Sequence, residues 1–171
     1  MSFFNPTVSI SLKYRSYRIA IVTAEFNFQV TQKLEEGANA ALKHHGISAA
    51  QISAIRVPGA FEIPLTAKLL FEKGFDGVVA IGCVIRGETT HYESVCTACE
   101  RGLMDVQLAY HRPIGFGIIM TENLEQALDR CGGKHGNKGI DAAEAMLKIL
   151  EIKEKINETK SYQHLTQGSF Q

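Results

Sequence analysis

Four short runs rich in Ile and Val punctuate the chain: residues 18–23 (RIAIVT), 52–57 (ISAIRV), 77–85 (GVVAIGCVI) and 115–120 (GFGIIM). Each is apolar almost without a break and does not alternate apolar with polar. Runs of this kind belong to strands covered on both faces, as in a parallel sheet flanked by helices. The stretches between them are long enough for helical crossovers, and their apolar residues recur at helical spacing. Val30, Leu34, Ala38, Ala41 and His45 form one stripe, with Gly46 as a C-terminal stop. Residues 63–71 form a second helix, with Pro64 in its first turn and Gly74 just beyond its end. Val95, Cys99, Leu103, Val106 and Tyr110 mark a longer third. Two more are expected over 122–130 and 137–152, the latter with Ala142, Met146 and Ile149 inward. The order β-α-β-α-β-α-β-α-α specifies an α/β domain, a three-layer α/β/α sandwich around a four-stranded parallel sheet.

Size and charge agree with this and exclude other classes. A length of 171 residues is one domain's worth, and such a domain buries roughly 70% of its unfolded surface. Eighteen basic residues balance eighteen acidic ones, which argues against nucleic-acid or polybasic membrane partners. No run approaches the roughly 18 apolar residues of a membrane span, and residues 1–17 resemble neither a secretion signal nor a transit peptide. A soluble, cytoplasmic protein with reduced thiols is the expectation. The residues after Lys153 are polar and aperiodic, so a frayed tail is expected there.

Open parallel sheets bind ligands beyond the carboxyl ends of their strands. The segments to search are therefore Ala24-Glu25-Phe26-Asn27, Pro58-Gly59-Ala60-Phe61-Glu62, Arg86-Gly87-Glu88-Thr89-Thr90-His91 and Thr121-Glu122-Asn123. Phe26 and Phe61 put aromatics on this rim; they serve either a flat, π-rich ligand or plain packing. His91, at a helix start beyond a strand end, is either a proton carrier near neutral pH or a surface residue of a capping turn. His44, His45, His111, His135 and His164 have no such placement and are read as surface residues.

Dinucleotide and Walker motifs are missing. The glycine-rich stretch from Gly132 to Gly139 holds Lys134 and Lys138 after Arg130 at a helix start, which suits a dianion or, alternatively, a loop with solvated lysines. Cys96 and Cys99 match C-x-x-C, but the pair falls one turn inside a helix and has no second ligand pair. Along with Cys83 they read as buried thiols, and no metal site is expected.

Three longer motifs carry a resemblance. Val57-Pro58-Gly59-Ala60-Phe61-Glu62-Ile63-Pro64, then Gly82-Cys83-Val84-Ile85-Arg86-Gly87-Glu88-Thr89-Thr90-His91-Tyr92, then Gly136-Asn137-Lys138-Gly139 resemble the 6,7-dimethyl-8-ribityllumazine synthases, colinearly from about residue 18 to residue 152. The resemblance implies flavodoxin-like topology and the penultimate step of riboflavin biosynthesis. In that step 5-amino-6-(D-ribitylamino)uracil condenses with 3,4-dihydroxy-2-butanone 4-phosphate, releasing phosphate and water, with no cofactor. It implies ring stacking on Phe26 and pyrimidine or ribityl contacts at Ala60, Phe61, Glu62, Val84 and Ile85. Proton transfer falls on His91, and phosphate contacts on Gly87, Glu88 (through its backbone), Thr89 and Arg130, with Lys138 near the site. Phe116 and Arg130 would come from a neighbouring subunit of a homopentamer.

Some members of the family assemble further into decamers or a 60-mer icosahedral shell, and the short 132–136 loop leans toward the shell. The implied division is an N-terminal extension over 1–17, one catalytic domain over 18–152 and a tail over 153–171. Two positions depart from the commoner pattern: Cys83 stands where Thr or Ala is frequent, and Glu88 where a small residue is. The Glu88 carboxylate is expected to point away from the phosphate loop or to pair with a cation such as Arg86. Two other classes compete. A non-catalytic flavin or nucleotide-binding module would need a Ser/Thr-rich phosphate loop after the first strand. A phosphorylation receiver would need clustered Asp at the strand ends. Neither pattern is present.

Overall fold

The computed structural model describes residues 16–167, with side chains through residue 158. Four strands form one parallel sheet in the order β2-β1-β3-β4: β1 (Ile19–Ala24), β2 (Ile52–Val57), β3 (Gly77–Ile85) and β4 (Ile114–Thr121). The register pairs Ile19 with Ile52 on one side and with Gly77 on the other. The connecting helices are α1 (Phe28–His44), α2 (Ile63–Glu72) and α3 (His91–Tyr110). After β4 come a short α4 (Leu124–Leu128), a hairpin of β5 (Cys131–Gly133) and β6 (Gly136–Asn137), and a long α5 (Lys138–Gln167).

The apolar runs set the layers. In β1, Ile19 and Ile21 face a core shared with Leu34 and Leu42 of α1 and Met146 and Leu147 of α5. Ala20, Val22 and Ala24 face the opposite core, with Ile63 and Phe71 of α2 and Cys99 and Leu103 of α3. β1 is buried along its whole length, and β3 over its first seven residues. β2 and β4 are only partly covered, because they are the sheet's edges. Continuous hydrophobicity thus marks central strands buried over all or most of their length and two edges that remain partly open in a single chain.

Three sequence expectations are corrected. α4 is shorter than the expected 122–130, since Asn123 caps it by accepting from the Gln126 N–H at 2.9 Å. The glycine-rich stretch after Arg130 folds back as the β5–β6 hairpin and is not a plain loop. α5 continues beyond residue 152, and its extension is tied down by the Tyr17 hydroxyl, which donates to Glu154. The expected frayed tail therefore does not begin at Lys153. The remaining residues of the expected N-terminal extension, 1–15, and His164's side chain lie outside the described residues.

The Gly136-Asn137-Lys138-Gly139 motif has a packing explanation. Asn137 donates from Nδ2 to the Lys33 carbonyl of α1 at 2.8 Å and accepts from the Gly139 N–H at 2.9 Å. A Cβ on Gly139 would lie 1.9 Å from the Leu34 carbonyl oxygen, so only glycine allows α5 to start against α1 at this distance. Gly136 adopts φ 70°, the left-handed conformation that closes the hairpin.

Candidate active site

Sheet order reverses at β1, whose neighbours are β2 on one side and β3 on the other, and a cleft lies at the carboxyl ends of these strands. It measures about 500 Å³ and is lined mainly by apolar surface. Its floor is the end of β3, Cys83, Val84 and Ile85; its walls are Phe26 and Asn27 after β1, Gly59 to Glu62 after β2, and His91 with Val95 of α3.

Backbone bonds fix this rim. The Glu25 and Phe26 N–H groups donate to the Val57 and Pro58 carbonyls at 2.8 and 3.2 Å, extending the β1–β2 pairing past the strands. Asn27 sits at φ 57° and donates from Nδ2 to the Cys83 carbonyl at 2.9 Å, joining the turn after β1 to β3. Asn tolerates that conformation better than other side chains, so its place after Phe26 is a readable turn signal. The Glu62 carboxylate accepts from the Gly59 N–H at 2.9 Å and holds the turn after β2. With both turns tethered, Phe26 (70% exposed) and Phe61 (61% exposed) stand out over an apolar floor. Rings this exposed do not serve as core packing and are open to whatever enters the cleft.

Phe26, Ala60, Phe61, Glu62, Val84, Ile85 and His91 are thus brought together as the motifs implied. Asn27, Gly59, Cys83 and Val95 line the same cleft without having been singled out for it. Gly87, Glu88 and Thr89 form the exposed connection from β3 to α3, and the His91 N–H donates weakly to Thr89 Oγ1 at 3.4 Å. Phe116, Arg130 and Lys138 are not in this cleft. They line a second one of about 250 Å³ along β4, with Gly117 to Met120 between them. There Arg130 donates to the Gln126 carbonyl at 2.9 Å, and Lys138 pairs with Asp141 at 2.6 Å. Lys134, expected beside these two cations, is outside that cleft and only loosely paired with Asp129 at 4.0 Å.

Other expectations near the site are revised. Arg86 pairs with Glu93 and with Glu122, not with Glu88. The Arg86 hydrogen bond holds the Glu93 carboxyl below the usual carboxylate range. Cys83 and Cys99 are buried, and burial pushes both thiols up to about 12, so neither is a nucleophile at neutral pH. Cys96 is buried on the same inner face of α3. His45 is half-buried against Glu144 at 3.3 Å, and so is not a surface residue; His135 is also half-buried. Among the described residues no cluster of three or more His, Cys, Asp or Glu side chains is placed to hold a metal ion. Nor is any described helix long and apolar enough to cross a membrane.

Comparison with known proteins decides the family. Residues 16–154 match the family model for 6,7-dimethyl-8-ribityllumazine synthase. The chain belongs to the 6,7-dimethyl-8-ribityllumazine synthase family. Proteins of that name from Pediococcus pentosaceus and Bdellovibrio bacteriovorus are similar to it at 46% and 47% identity. The first alignment covers 82% of this chain and 90% of the relative; the second covers 81% and 76%. The relative from Cytophaga hutchinsonii is 49% identical over 76% of this chain and 82% of its own length. As a member of this family the chain is an enzyme, a transferase of riboflavin biosynthesis, and its activity is the synthesis of 6,7-dimethyl-8-ribityllumazine.

Proposed function

We propose that the cleft at the ends of β1, β2 and β3 receives the pyrimidine ring of 5-amino-6-(D-ribitylamino)uracil, to be condensed there with 3,4-dihydroxy-2-butanone 4-phosphate. The observation that carries this reading is the pairing of tethered, exposed Phe26 and Phe61 with the polar backbone ends of β3 and with His91 in one apolar cleft. The rings stack on the flat heterocycle, and main-chain groups of Ala60, Phe61, Glu62, Val84 and Ile85 meet its edges and the ribityl chain. An amine nitrogen attacks the ketone carbon and one proton passes from nitrogen to the carbonyl oxygen, giving a carbinolamine. A second proton then reaches that oxygen, the C–O bond breaks to release water, and nitrogen loses its other proton as the C=N bond forms. An imidazole carries such protons near neutral pH, and His91 stands at the cleft to do so. Loss of a proton from the carbon next to the C=N bond forms a C=C bond as the neighbouring C–O bond to phosphate breaks. That departure is assisted by the N–H groups of Gly87 and Glu88, by Thr89 and by a guanidinium that binds the dianion bidentately. Tautomerisation of the resulting enol to a ketone lets the ribityl-bearing nitrogen close the ring with loss of a second water. Holding both reactants in one cleft supplies much of the rate, since orientation alone is worth up to about 7–11 kcal/mol.

The guanidinium in this reading is Arg130 of a neighbouring copy. Its position supports the assignment: within one chain Arg130, Phe116 and Lys138 line a separate cleft on β4. The working unit is then a homopentamer, open to further assembly into a shell, in the cytoplasm. Within each chain, residues 18–152 carry the catalytic domain, and α5 continues from it beyond residue 152. The test is to mix purified protein with both substrates, following lumazine absorbance and phosphate release. Product forming faster than in a protein-free control is expected, and an equal rate overturns the reading.

A further inference from the structure

Arg86 is the last residue before the loop that leads to His91, and its own N–H donates to the Thr121 carbonyl at 2.9 Å, anchoring its backbone to β4. Its guanidinium is engaged with two carboxylates and a ring face. One N–H group donates to Glu93 in the first turn of α3, and Nε donates to Glu122, between β4 and α4, at 2.8 Å. The guanidinium carbon lies 4.2 Å from the centre of the Tyr92 ring. A single side chain thus joins the ends of β3 and β4 to the start of α3, and it bridges the loop of Gly87 to Thr90 from one end to the other.

The loop has little else to define it. It is exposed throughout, a Cβ on Gly87 would meet nothing within 4 Å, and its bonds into α3 are long. These are the 3.4 Å contact of His91 N–H with Thr89 Oγ1 and the contacts of Ser94 N–H and Ser94 Oγ with the Thr90 carbonyl at 3.3 and 3.4 Å.

We propose that Arg86 is a positioning residue for the transfer, setting the loop from Gly87 to Thr89 and the ring of His91 in their working geometry. The inference rests on the roles given above to those residues. A cation already paired with two carboxylates is a poor phosphate ligand, since a dianion would compete with both partners. The pairs are also partly exposed, and exposed pairs contribute little to stability. What this arrangement does provide is a fixed angle, because the planar fork of arginine serves two carboxylates and a ring face at once, which a lysine ammonium does not.

The test compares the full-length wild-type oligomer with Arg86→Met, with Arg86→Lys and with the triple variant Arg86→Met, Glu93→Gln, Glu122→Gln. A displacement of about 1 Å near reacting groups costs on the order of 100-fold in rate. Arg86→Met is therefore expected to lose roughly 10- to 100-fold in kcat, with the KM of the uracil substrate changed less than about threefold. Amides of residues 87–92 should exchange faster while those of β1 do not. The melting temperature should fall by no more than about 4 °C. Arg86→Lys should recover only part of kcat, and the triple variant should recover none.

A kcat for Arg86→Met within threefold of wild type overturns the proposal. Full recovery in the triple variant also overturns it, because the arginine would then only neutralise charge. A raised KM for the phosphorylated substrate at unchanged kcat overturns it as well, by making Arg86 a phosphate ligand. If the wild type forms no product, the functional reading fails; unaltered exchange of residues 87–92 in Arg86→Met would separately refute the positioning.

Discussion

The cleft lined by Phe26, Phe61 and His91 is held by hydrogen bonds that tie the ends of three strands together, whereas in the cleft of Phe116, Arg130 and Lys138 at the sheet's far edge the two cationic side chains are held by partners three and four residues away. In the first, Phe26 hangs from the Pro58 carbonyl and Asn27 from the Cys83 carbonyl, so the platform is complete within one chain. In the second, Arg130 leans on the Gln126 carbonyl, Lys138 on Asp141, and Phe116 projects from an edge strand with nearly half its surface open. One region is an apolar recess bearing two exposed aromatic rings; the other is a cationic shelf with an aromatic beside it. The chemistry proposed for this family member needs both kinds of surface, and the chain carries them apart.

Several substitutions would break or sharpen that contrast. The largest effect is expected at His91. His91→Ala should lower kcat by about 100- to 10,000-fold, with smaller changes in either KM, in steady-state assays with both substrates. Arg130→Ala should act on the other partner, lowering kcat/KM for the phosphorylated substrate by roughly 10- to 150-fold, as for loss of a charge-assisted bond. Gly139→Ala tests the frame beneath the second cleft. Its Cβ would collide with the Leu34 carbonyl, and a stability loss of about 1–3 kcal/mol by denaturant titration is expected. Phe26→Ala should weaken binding of the uracil substrate by about 0.5–1.5 kcal/mol, read as a two- to tenfold rise in its dissociation constant.

The smallest effect concerns the cysteines. Burial raises Cys83 and Cys99 to about 12, so at pH 8 both stay as thiols, and the thiolate forms only as pH approaches the raised value. Iodoacetamide at pH 8 should leave both unmodified in the folded protein and label them rapidly in denaturant. Rapid labelling of the folded protein would contradict the burial described for Cys83 at the floor of the first cleft and for Cys99 in the core beneath α3.

Much of this was legible in the sequence, for identifiable reasons. β2 and β3 were located to the residue, because Ile/Val runs bounded by Gly and Pro leave little freedom of assignment. The stops at Gly46 and Gly74 were readable because both residues take positive φ, where glycine is favoured. The first cleft was legible because ligand sites in open sheets follow the strand ends.

What was missed depends on contacts between distant parts of the chain. Hairpin β5–β6 is too short to show a period. The extension of α5 is polar, and its anchor, Tyr17 on Glu154, links residues 137 apart. Arg86 was expected on Glu88, two residues away, whereas the fold offers it Glu93 and Glu122. Local proximity in sequence was a poor guide there, because the end of β4 and the start of α3 bring two other carboxylates to the fork. The separation of Arg130 from His91 also had no local signal, and only the family resemblance anticipated it.

The central claim is that the two clefts act together only across a boundary between copies of the chain. The direct measurement is turnover in mixed oligomers. His91→Ala protein and Arg130→Ala protein, each nearly inactive alone, are unfolded together in equal amounts, refolded and assayed with both substrates. Random assembly gives about one quarter of the sites an intact first cleft from one copy and an intact second cleft from its neighbour, so roughly a quarter of wild-type activity should return. Activity that stays at the level of the separate variants in a mixed assembly would contradict the account, and would place Arg130 and His91 in the same chain's site or remove Arg130 from the reaction.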